Sequence, residues 1–417
     1  MSLAKASVWT ATSTLIKIGV GLLVIKLLAM SFGPEGVGQA GNFRQLITVL
    51  GVLSGAGIFN GITKYVAEYQ QQPDKLRSVI GTASSIILLF STTLAGIFLV
   101  FAEPISVALF GHNEYQSAIR ILAFIQISIA YTNFLLAILK GYRDAKANAL
   151  SIIIGSILGV IAYVICFMLA DYVGALIGLA IIPAIIVIPA IMLFTKRHYF
   201  PAHYLSLQWN KPVASDLSRF TIMAVITCVT IPVAYVMMRN LLAESYSWQD
   251  VGIWQGMSTI SDAYLQFITA SFTVYLLPTF SRLTSKQAQK QELLRSLRFV
   301  LLSVTAVSFT LWLLRDIAIT LLFSSQFTTM RDLFSWQLIG DVLKVGCYVY
   351  GYLVIAKASL KFYLLAEVSQ FVLLLAFAHW LIPLNGALGA SQAYMATYVC
   401  YFVLCSLAFF IYIRKRS

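Results

Sequence analysis

The chain has 417 residues, of which 59% are apolar and 11% are charged, and its mean hydropathy is +0.85. This composition excludes a soluble globular protein, because it leaves too little polar surface to cover the chain, and lipid must surround most of it. The net charge of +13 would suit a nucleic-acid-binding protein, but the lysines and arginines lie in short loops between apolar stretches. The sequence therefore predicts an all-α polytopic membrane protein, with membrane lipid and no nucleic acid as partners.

The first apolar stretch follows a short segment with one lysine, Lys5. No small-residue cleavage site follows a short apolar core, so we expect a retained span and not a signal peptide. Further apolar runs of spanning length follow, which makes about twelve in all. The predicted spans are 6–32, 37–66, 79–102, 117–139, 147–170, 173–195, 220–243, 251–280, 299–322, 333–356, 362–382 and 387–413.

The loops between these spans alternate in charge. Loops on one side, such as 31–37, 103–116 and 170–174, hold no lysine or arginine, and those on the other side hold most of them. The positive-inside rule therefore predicts that both termini are cytoplasmic. An extra or missing span would invert every later loop, so the alternation favours twelve spans. The residues predicted to be cytoplasmic are Lys64, Lys75, Arg77, Lys140, Arg143, Lys146, Lys196, Arg197, Lys211, Arg219, Arg282, Lys286, Lys290, Arg295, Arg298, Lys357, Lys361, Arg414, Lys415 and Arg416.

The long polar loop 195–219 divides the chain into two predicted lobes, residues 1–205 and 206–417, with six spans each and a central cavity between them. A short similarity supports this layout, because Pro34 to Gly38 and Trp248 to Gly252 each open the second span of their half. Equivalent spans then run in the same direction, as in parallel repeats. Five tryptophans near predicted outer ends are expected to be interfacial anchors. They are Trp248, Trp254, Trp312, Trp336 and Trp380.

Several charged residues fall inside predicted spans, where a lysine, arginine or aspartate costs roughly 2.5–3.5 kcal/mol. A pyrophosphate would be bound by such cations, since arginine offers a planar fork to phosphate oxygens and lysine a compact charge. The alternative is that they snorkel or satisfy buried partners. The predicted substrate-binding residues, for a pyrophosphate or an anionic sugar, are Lys17, Lys26, Arg44 and Lys344.

Two of these cations, Lys17 and Lys26, are nine residues apart and lie on opposite faces of a straight helix. They face one cavity only if the helix bends, which Gly19 and Gly21 would allow.

The in-span acids are predicted to serve ion coupling or intramembrane pairing. Asp341 and Lys344 have the i, i+3 spacing of an ion pair within one helix. Asp262 has no local partner, so it is a candidate for protonation or cation coupling, unless a distant cation such as Arg44 neutralises it. Glu367 is the remaining acid of this group. The 5 cysteines show no CxxC and no histidine at ligand spacing, so no metal or other cofactor is expected.

Two glycine-rich segments, one short segment bounded by tyrosines and one loop resemble the polysaccharide transporter family of the multidrug/oligosaccharidyl-lipid/polysaccharide exporter superfamily. They are Phe32 to Gly38, Gly55 to Gly61, Tyr65 to Tyr69 and the Lys140 to Asp144 loop. The resemblance covers essentially the whole chain. It implies alternating-access flipping of an undecaprenyl-pyrophosphate-linked oligosaccharide, the enterobacterial common antigen trisaccharide, across the bacterial inner membrane. It also implies a polysaccharide polymerase and a chain-length regulator as partners.

Two other functions are compatible with a multi-spanning chain. A drug/cation antiporter of the same superfamily should hold carboxylates in its first lobe, whereas this lobe has Lys17, Lys26 and Arg44 and no mid-span acid. A membrane glycosyltransferase or polymerase needs an acid or base beside the sugar. The short outer loops carry only isolated acids, Glu35, Glu103 and Glu114. No GxxxxGK[ST] phosphate loop occurs, so the sequence predicts a non-enzymatic carrier.

Overall fold

A computed structural model describes residues 3–197, 199, 201–283, 285–356 and 360–414, so Lys357, Lys415 and Arg416 lie outside the described residues. Within these ranges the regular structure is helical, which confirms the predicted all-α class. The α-helices are α1 (Leu3–Leu53), α2 (Phe59–Tyr69), α3 (Pro73–Val100), α4 (Ala102–Phe110), α5 (Gln116–Gly141), α6 (Ala145–Ile185), α7 (Val187–Arg197), α8 (Lys211–Ser245), α9 (Trp248–Arg282), α10 (Lys286–Leu313), α11 (Arg315–Leu322), α12 (Phe334–Ala356) and α13 (Leu360–Arg414). Short 3₁₀ turns cover Ala202–Leu205 and Ser325–Leu333.

Three of these helices are interrupted by a residue with left-handed backbone. The interruptions are Gly33 in α1 (φ 62°), Asp171 in α6 (φ 50°) and Gly386 in α13 (φ 57°). Glycine adopts such angles without a Cβ clash, which explains its use at two of these positions. Each long helix is thus two helical arms joined at a break.

The two arms of α6 run antiparallel and are packed through glycines. A Cβ at Gly155 would lie 2.7 Å from the Cα of Ile186, and one at Gly178 would lie 2.9 Å from the Cα of Tyr163. Small residues allow helix backbones to approach this closely in a membrane, where packing rather than the hydrophobic effect drives association. α6 is therefore a helical hairpin that reverses near Asp171.

Eight segments of the described chain are long and apolar enough to cross a membrane. Three of them, which contain α1, α6 and α13, have 49, 52 and 54 residues, enough for two spans each. α9 has 35 residues and a length of about 52 Å. The count of twelve and the cytoplasmic side of the termini stay predictions.

The chain forms two compact units. Unit 1 comprises Met1–Val24 and Asn42–Pro232, and unit 2 comprises Ile25–Gly41 and Val233–Ser417. Unit 2 thus includes the part of α1 around Gly33, which the predicted lobes, 1–205 and 206–417, do not. The assignment of six spans to each lobe stays a prediction.

The two motifs that the sequence relates lie against each other inside unit 2. A Cβ at Gly38 would lie 2.9 Å from the backbone nitrogen of Gly252, and one at Gly252 would overlap the backbone carbonyl of Pro34. A larger residue at either glycine would force the backbones apart. The PEGVG segment is therefore held by backbone-to-backbone packing.

In unit 1 the Lys140 to Asp144 loop joins α5 to α6 in a tight turn. Arg143 has a left-handed backbone (φ 56°). The Asp144 carboxylate accepts a hydrogen bond from the backbone nitrogen of Ala147 (2.9 Å), which caps α6, and another from the Tyr199 hydroxyl. This turn fixes the end of α5 and with it the backbone of Lys140.

Candidate functional site

Unit 1 contains three neighbouring cations on two helices, which we call the cation cluster: Lys17, Arg44 and Lys140. Lys17 is on the first arm of α1, Arg44 on the second arm and Lys140 at the end of α5. Lys17 is within electrostatic range of both Arg44 and Lys140. Gly21, one turn after Lys17, makes room for the guanidinium, since a Cβ there would lie 3.9 Å from Nη2 of Arg44. The hairpin of α1 thus brings two predicted site residues together.

The cation cluster carries a formal charge of about +3. Lys17 and Lys140 are exposed and Arg44 is half-buried. Neither lysine forms an ion pair with a carboxylate in the part of the chain that the structure describes. Like charges repel strongly where water is scarce, and a bound anion would relieve that repulsion. The arrangement is therefore suited to a multivalent anion.

Lys26, the fourth predicted cation of the first half, is half-buried and belongs to unit 2. The break in α1 is at Gly33, and no non-helical backbone angle occurs at Gly19 or Gly21. A shared cavity for Lys17 and Lys26 stays a prediction. Lys26 is not a member of the cation cluster.

The most buried charge in unit 2 is Asp341 on α12, which is 0% exposed. Its Oδ2 accepts hydrogen bonds from Ser261 Oγ (2.6 Å) and the Tyr264 hydroxyl (2.8 Å), and its Oδ1 accepts one from the Tyr394 hydroxyl (2.7 Å). The direct ion pair predicted between Asp341 and Lys344 does not form. Three hydroxyl groups from α9 and α13 satisfy the carboxylate instead, because the fold brings them to the face of α12 on which it lies.

Lys344 lies against two tyrosine rings of α13. Its Nζ is 5.3 Å from the ring centroid of Tyr394 and 5.6 Å from that of Tyr398, within the range of a cation–π interaction. The Tyr398 hydroxyl accepts a hydrogen bond from Gln370 Nε2 (2.5 Å), so this ring is fixed in turn. Lys344 is 9% exposed, and aromatic faces supply much of its surroundings.

Asp262 of α9 is exposed and within electrostatic range of Lys344, Tyr235 and Tyr348. Its carboxylate makes no hydrogen bond within the described ranges. Glu367 lies on α13, half-buried and within electrostatic range of Tyr401. These two acids are therefore not part of one cluster.

The predictions missed Arg239 of α8, which is only 4% exposed. Its Nε donates to Gln255 Oε1 (2.8 Å), and its guanidinium lies 5.8 Å from the ring centroid of Tyr235 and 5.7 Å from that of Trp254. Arg239 is near the end of its predicted span, where a snorkelling arginine is common, so its position did not indicate a buried site. Trp254 is 0% exposed, so its predicted role as an interfacial anchor is wrong.

Comparison with known proteins assigns this all-helical chain to a family. Residues 3–284 match the family described as polysaccharide biosynthesis protein. The chain belongs to the polysaccharide biosynthesis protein family. The predicted resemblance to polysaccharide transporters is thereby confirmed.

Within the polysaccharide biosynthesis protein family, the chain is 64% identical over 415 residues to the lipid III flippase of Escherichia coli (strain K12), with 100% of each chain covered. The Shigella flexneri lipid III flippase matches equally well. The succinoglycan biosynthesis transport protein ExoT of Rhizobium meliloti (strain 1021) is 21% identical over 333 residues, which is 80% of this chain and 64% of that protein.

Solved structures show the same fold at low sequence identity. An inward-facing multidrug resistance MATE family transporter of the MOP superfamily has a TM-score of 0.78 at 14% identity, covering 96% of this chain and 94% of that one. A Pyrococcus furiosus MOP superfamily transporter, described as having a binding pocket of reverse polarity, has a TM-score of 0.71 at 13% identity, covering 99% and 97%. The chain therefore has the same helical fold as these transporters, which confirms the predicted fold class.

Proposed function

We propose that this protein is a flippase. It moves an undecaprenyl-pyrophosphate-linked oligosaccharide from the cytoplasmic to the periplasmic leaflet of the bacterial inner membrane by alternating access. The observation that carries the proposal is the cation cluster of unit 1, in which Lys17 and Lys140 have no carboxylate partner in the described chain. The full-length identity to lipid III flippases supports the same substrate, a lipid-linked trisaccharide.

The cation cluster suits a pyrophosphate better than it suits a cationic drug. Arg44 offers two parallel N–H donors to phosphate oxygens, and Lys17 and Lys140 add ammonium groups. A drug/cation antiporter needs a carboxylate where this chain has cations, and the predicted spans of the first half contain no aspartate or glutamate. We therefore favour an anionic substrate.

The membrane potential can supply the driving force. Moving one negative charge outward across a membrane with a negative interior gains roughly 2.3 kcal/mol per 100 mV, and a dianionic pyrophosphate gains about twice that.

Ion coupling through Asp262, Asp341 or Glu367 is a separate proposal that these energetics do not require. Substrate contacts of Lys26 and Lys344, and partnership with a polymerase and a chain-length regulator, also stay proposals.

The test is ligand-dependent stabilisation of the purified protein in detergent. A ligand that binds only the folded state at 100 times its Kd raises the free energy of unfolding by about 2.7 kcal/mol. We expect undecaprenyl-pyrophosphate oligosaccharide to raise the melting temperature and cationic drugs to leave it unchanged. Arg44→Ala should abolish the rise. The matched control Arg120→Ala should retain it, since Arg120 is exposed and its guanidinium donates a hydrogen bond to Gln116 Oε1 (3.3 Å). Stabilisation by a cationic drug alone would favour the antiporter.

A further inference from the structure

Unit 2 contains a second intramembrane cluster, of different chemistry from the cation cluster. Four helices contribute to it, and Lys344 lies at its centre. Along α12 Lys344 and Tyr348 are four residues apart and share a face, as do Tyr394 and Tyr398 along α13. We call it the tyrosine cluster; its members are Tyr235, Asp262, Lys344, Tyr348, Tyr394 and Tyr398.

One side of the tyrosine cluster is fixed by contacts within the protein. The Tyr394 hydroxyl donates to Asp341 (2.7 Å), and the Tyr398 hydroxyl accepts from Gln370 (2.5 Å). These two rings are 4.8 Å apart with an edge-to-face angle of 65°, and both lie beside Lys344. Side chains locked in this way form a preorganised wall, which lowers the entropy cost of binding a ligand.

The other side of the tyrosine cluster has polar groups without protein hydrogen bonds. Tyr348 is 37% exposed even though charged groups from α9 and α12 surround it, and Asp262 is exposed. Neither the Tyr348 hydroxyl nor the Asp262 carboxylate makes a hydrogen bond in the described ranges. An exposed aromatic ring and an exposed carboxylate therefore lie within electrostatic range of Lys344, beside the fixed wall.

This combination gives a pyrophosphate no net attraction. Two carboxylates, Asp262 and the buried Asp341, lie near Lys344. The Arg239 guanidinium lies 5.8 Å from the ring centroid of Tyr235, so the local formal charge is about zero. The cation cluster of unit 1 instead carries a formal charge of about +3.

A sugar ring has the complementary chemistry. Its C–H face packs on an aromatic ring, and its hydroxyl groups donate to a carboxylate, in charge-assisted hydrogen bonds that are stronger than neutral ones. Mostly aromatic sites with a few convergent polar groups are typical of small-molecule recognition. Here Tyr348 would supply the ring, Asp262 the acceptor and Lys344 a donor.

We propose that the tyrosine cluster is a carbohydrate-binding subsite of this transporter, with Tyr348 packed on a sugar ring and Asp262 accepting its hydroxyl hydrogens. The inference rests on the proposed flippase function and names the residues of unit 2 that would bind the sugar.

The test compares two water-soluble ligands by calorimetry with the full-length protein in detergent. One is geranyl pyrophosphate, and the other is geranyl pyrophosphate linked to the enterobacterial common antigen trisaccharide. Tyr348→Ala should weaken binding of the glycosylated ligand by about tenfold and change binding of geranyl pyrophosphate less than about twofold. Tyr348→Phe, which keeps the ring, should bind both ligands like the wild type. Arg44→Ala should weaken both ligands.

The outcomes separate the inference from the proposed function. If the wild type binds the glycosylated ligand tightly and Tyr348→Ala and Asp262→Asn leave its affinity unchanged, the carbohydrate subsite lies elsewhere. An equal loss for both ligands in Tyr348→Ala would show that the cluster binds the pyrophosphate, and this too would overturn the inference. If the wild type binds neither ligand, the flippase proposal itself fails. Should Tyr348→Ala unfold, Asp262→Asn gives the same comparison with an isosteric side chain.

Discussion

The cation cluster of unit 1 and the tyrosine cluster of unit 2 both contain charged side chains within predicted membrane spans. The two clusters differ in how these charges are compensated. In unit 1 Lys17 and Lys140 have like-charged neighbours and no carboxylate partner among the described residues. In unit 2 the Asp341 carboxylate is satisfied by three hydroxyl groups, and Lys344 lies on two aromatic rings. The first arrangement leaves its charges to be compensated by a ligand, whereas in the second the protein itself satisfies Asp341 and surrounds Lys344, and only Asp262 and Tyr348 are left exposed.

This difference predicts which substitutions affect transport and which affect stability. A charged side chain whose compensating charge comes from the ligand adds little to the stability of the folded protein, and its removal should lower substrate affinity. A buried charge with protein partners supports the fold, because removing it leaves the partners unsatisfied. Four substitutions test the comparison.

The largest effect is expected for Arg44→Ala, which should abolish flipping in proteoliposomes. Arg44→Lys should retain part of the activity, because the charge survives although the two-pronged donor does not. Full transport by the alanine variant at equal expression would remove Arg44 from the site.

Asp341→Ala should instead act on stability. It leaves three hydroxyl groups without their acceptor, and losing one partner of a buried charged group costs about 3–5 kcal/mol. Thermal unfolding in detergent measures the loss, and Asp262→Ala is the matched control, since Asp262 is exposed and should cost far less. Equal stabilities of the two variants would contradict the contrast between the clusters.

The sequence predicted the fold class and the members of the clusters better than their partners. Lys17, Arg44 and Asp341 were found because a charge in an apolar span is costly wherever it occurs. Asp341 bonds to Ser261 and Tyr394, which are 80 and 53 residues away in the chain, and no local spacing rule reveals such partners.

Two further residues show the limits of assigning roles by position along a span. Lys140 was counted as a topology signal of a loop, and only the packing of α5 beside α1 brings it near Lys17. Trp254 was expected at the interface because it lies near a span end, but Arg239 lies beside its ring inside unit 2. The position of a residue along a span predicts its depth in the membrane, but it does not predict which helix packs beside it.

A smaller effect is expected for Lys140→Ala. Lys140 is at the end of the cation cluster, is exposed and acts on Lys17 over a distance, so we expect a roughly tenfold rise in the substrate concentration needed for half-maximal flipping. The control is Lys146→Ala, because the Lys146 ammonium lies over the Trp9 ring (5.8 Å). Identical transport by Lys140→Ala and wild type would limit the cluster to Lys17 and Arg44.

The smallest change is expected for Asp262→Asn, and it decides between two roles for the exposed acid of unit 2. If Asp262 accepts hydrogen bonds from the sugar, its replacement by asparagine removes one charge but keeps an oxygen acceptor. Affinity for the glycosylated ligand should then fall only a few fold. Vesicle transport should keep the wild-type response to an imposed pH gradient, because the membrane potential acting on the pyrophosphate supplies the driving force.

As a coupling residue, Asp262 would exchange a proton or sodium ion during the cycle, and an asparagine cannot do so at neutral pH. The variant would then bind substrate normally, transport it slowly and lose the response to the gradient. Measuring affinity and gradient response on the same preparation therefore distinguishes the two roles. A loss of the gradient response at unchanged affinity would make the tyrosine cluster an ion-coupling site. Asp262 would then bind a cation, whereas the cation cluster of unit 1 would bind an anion.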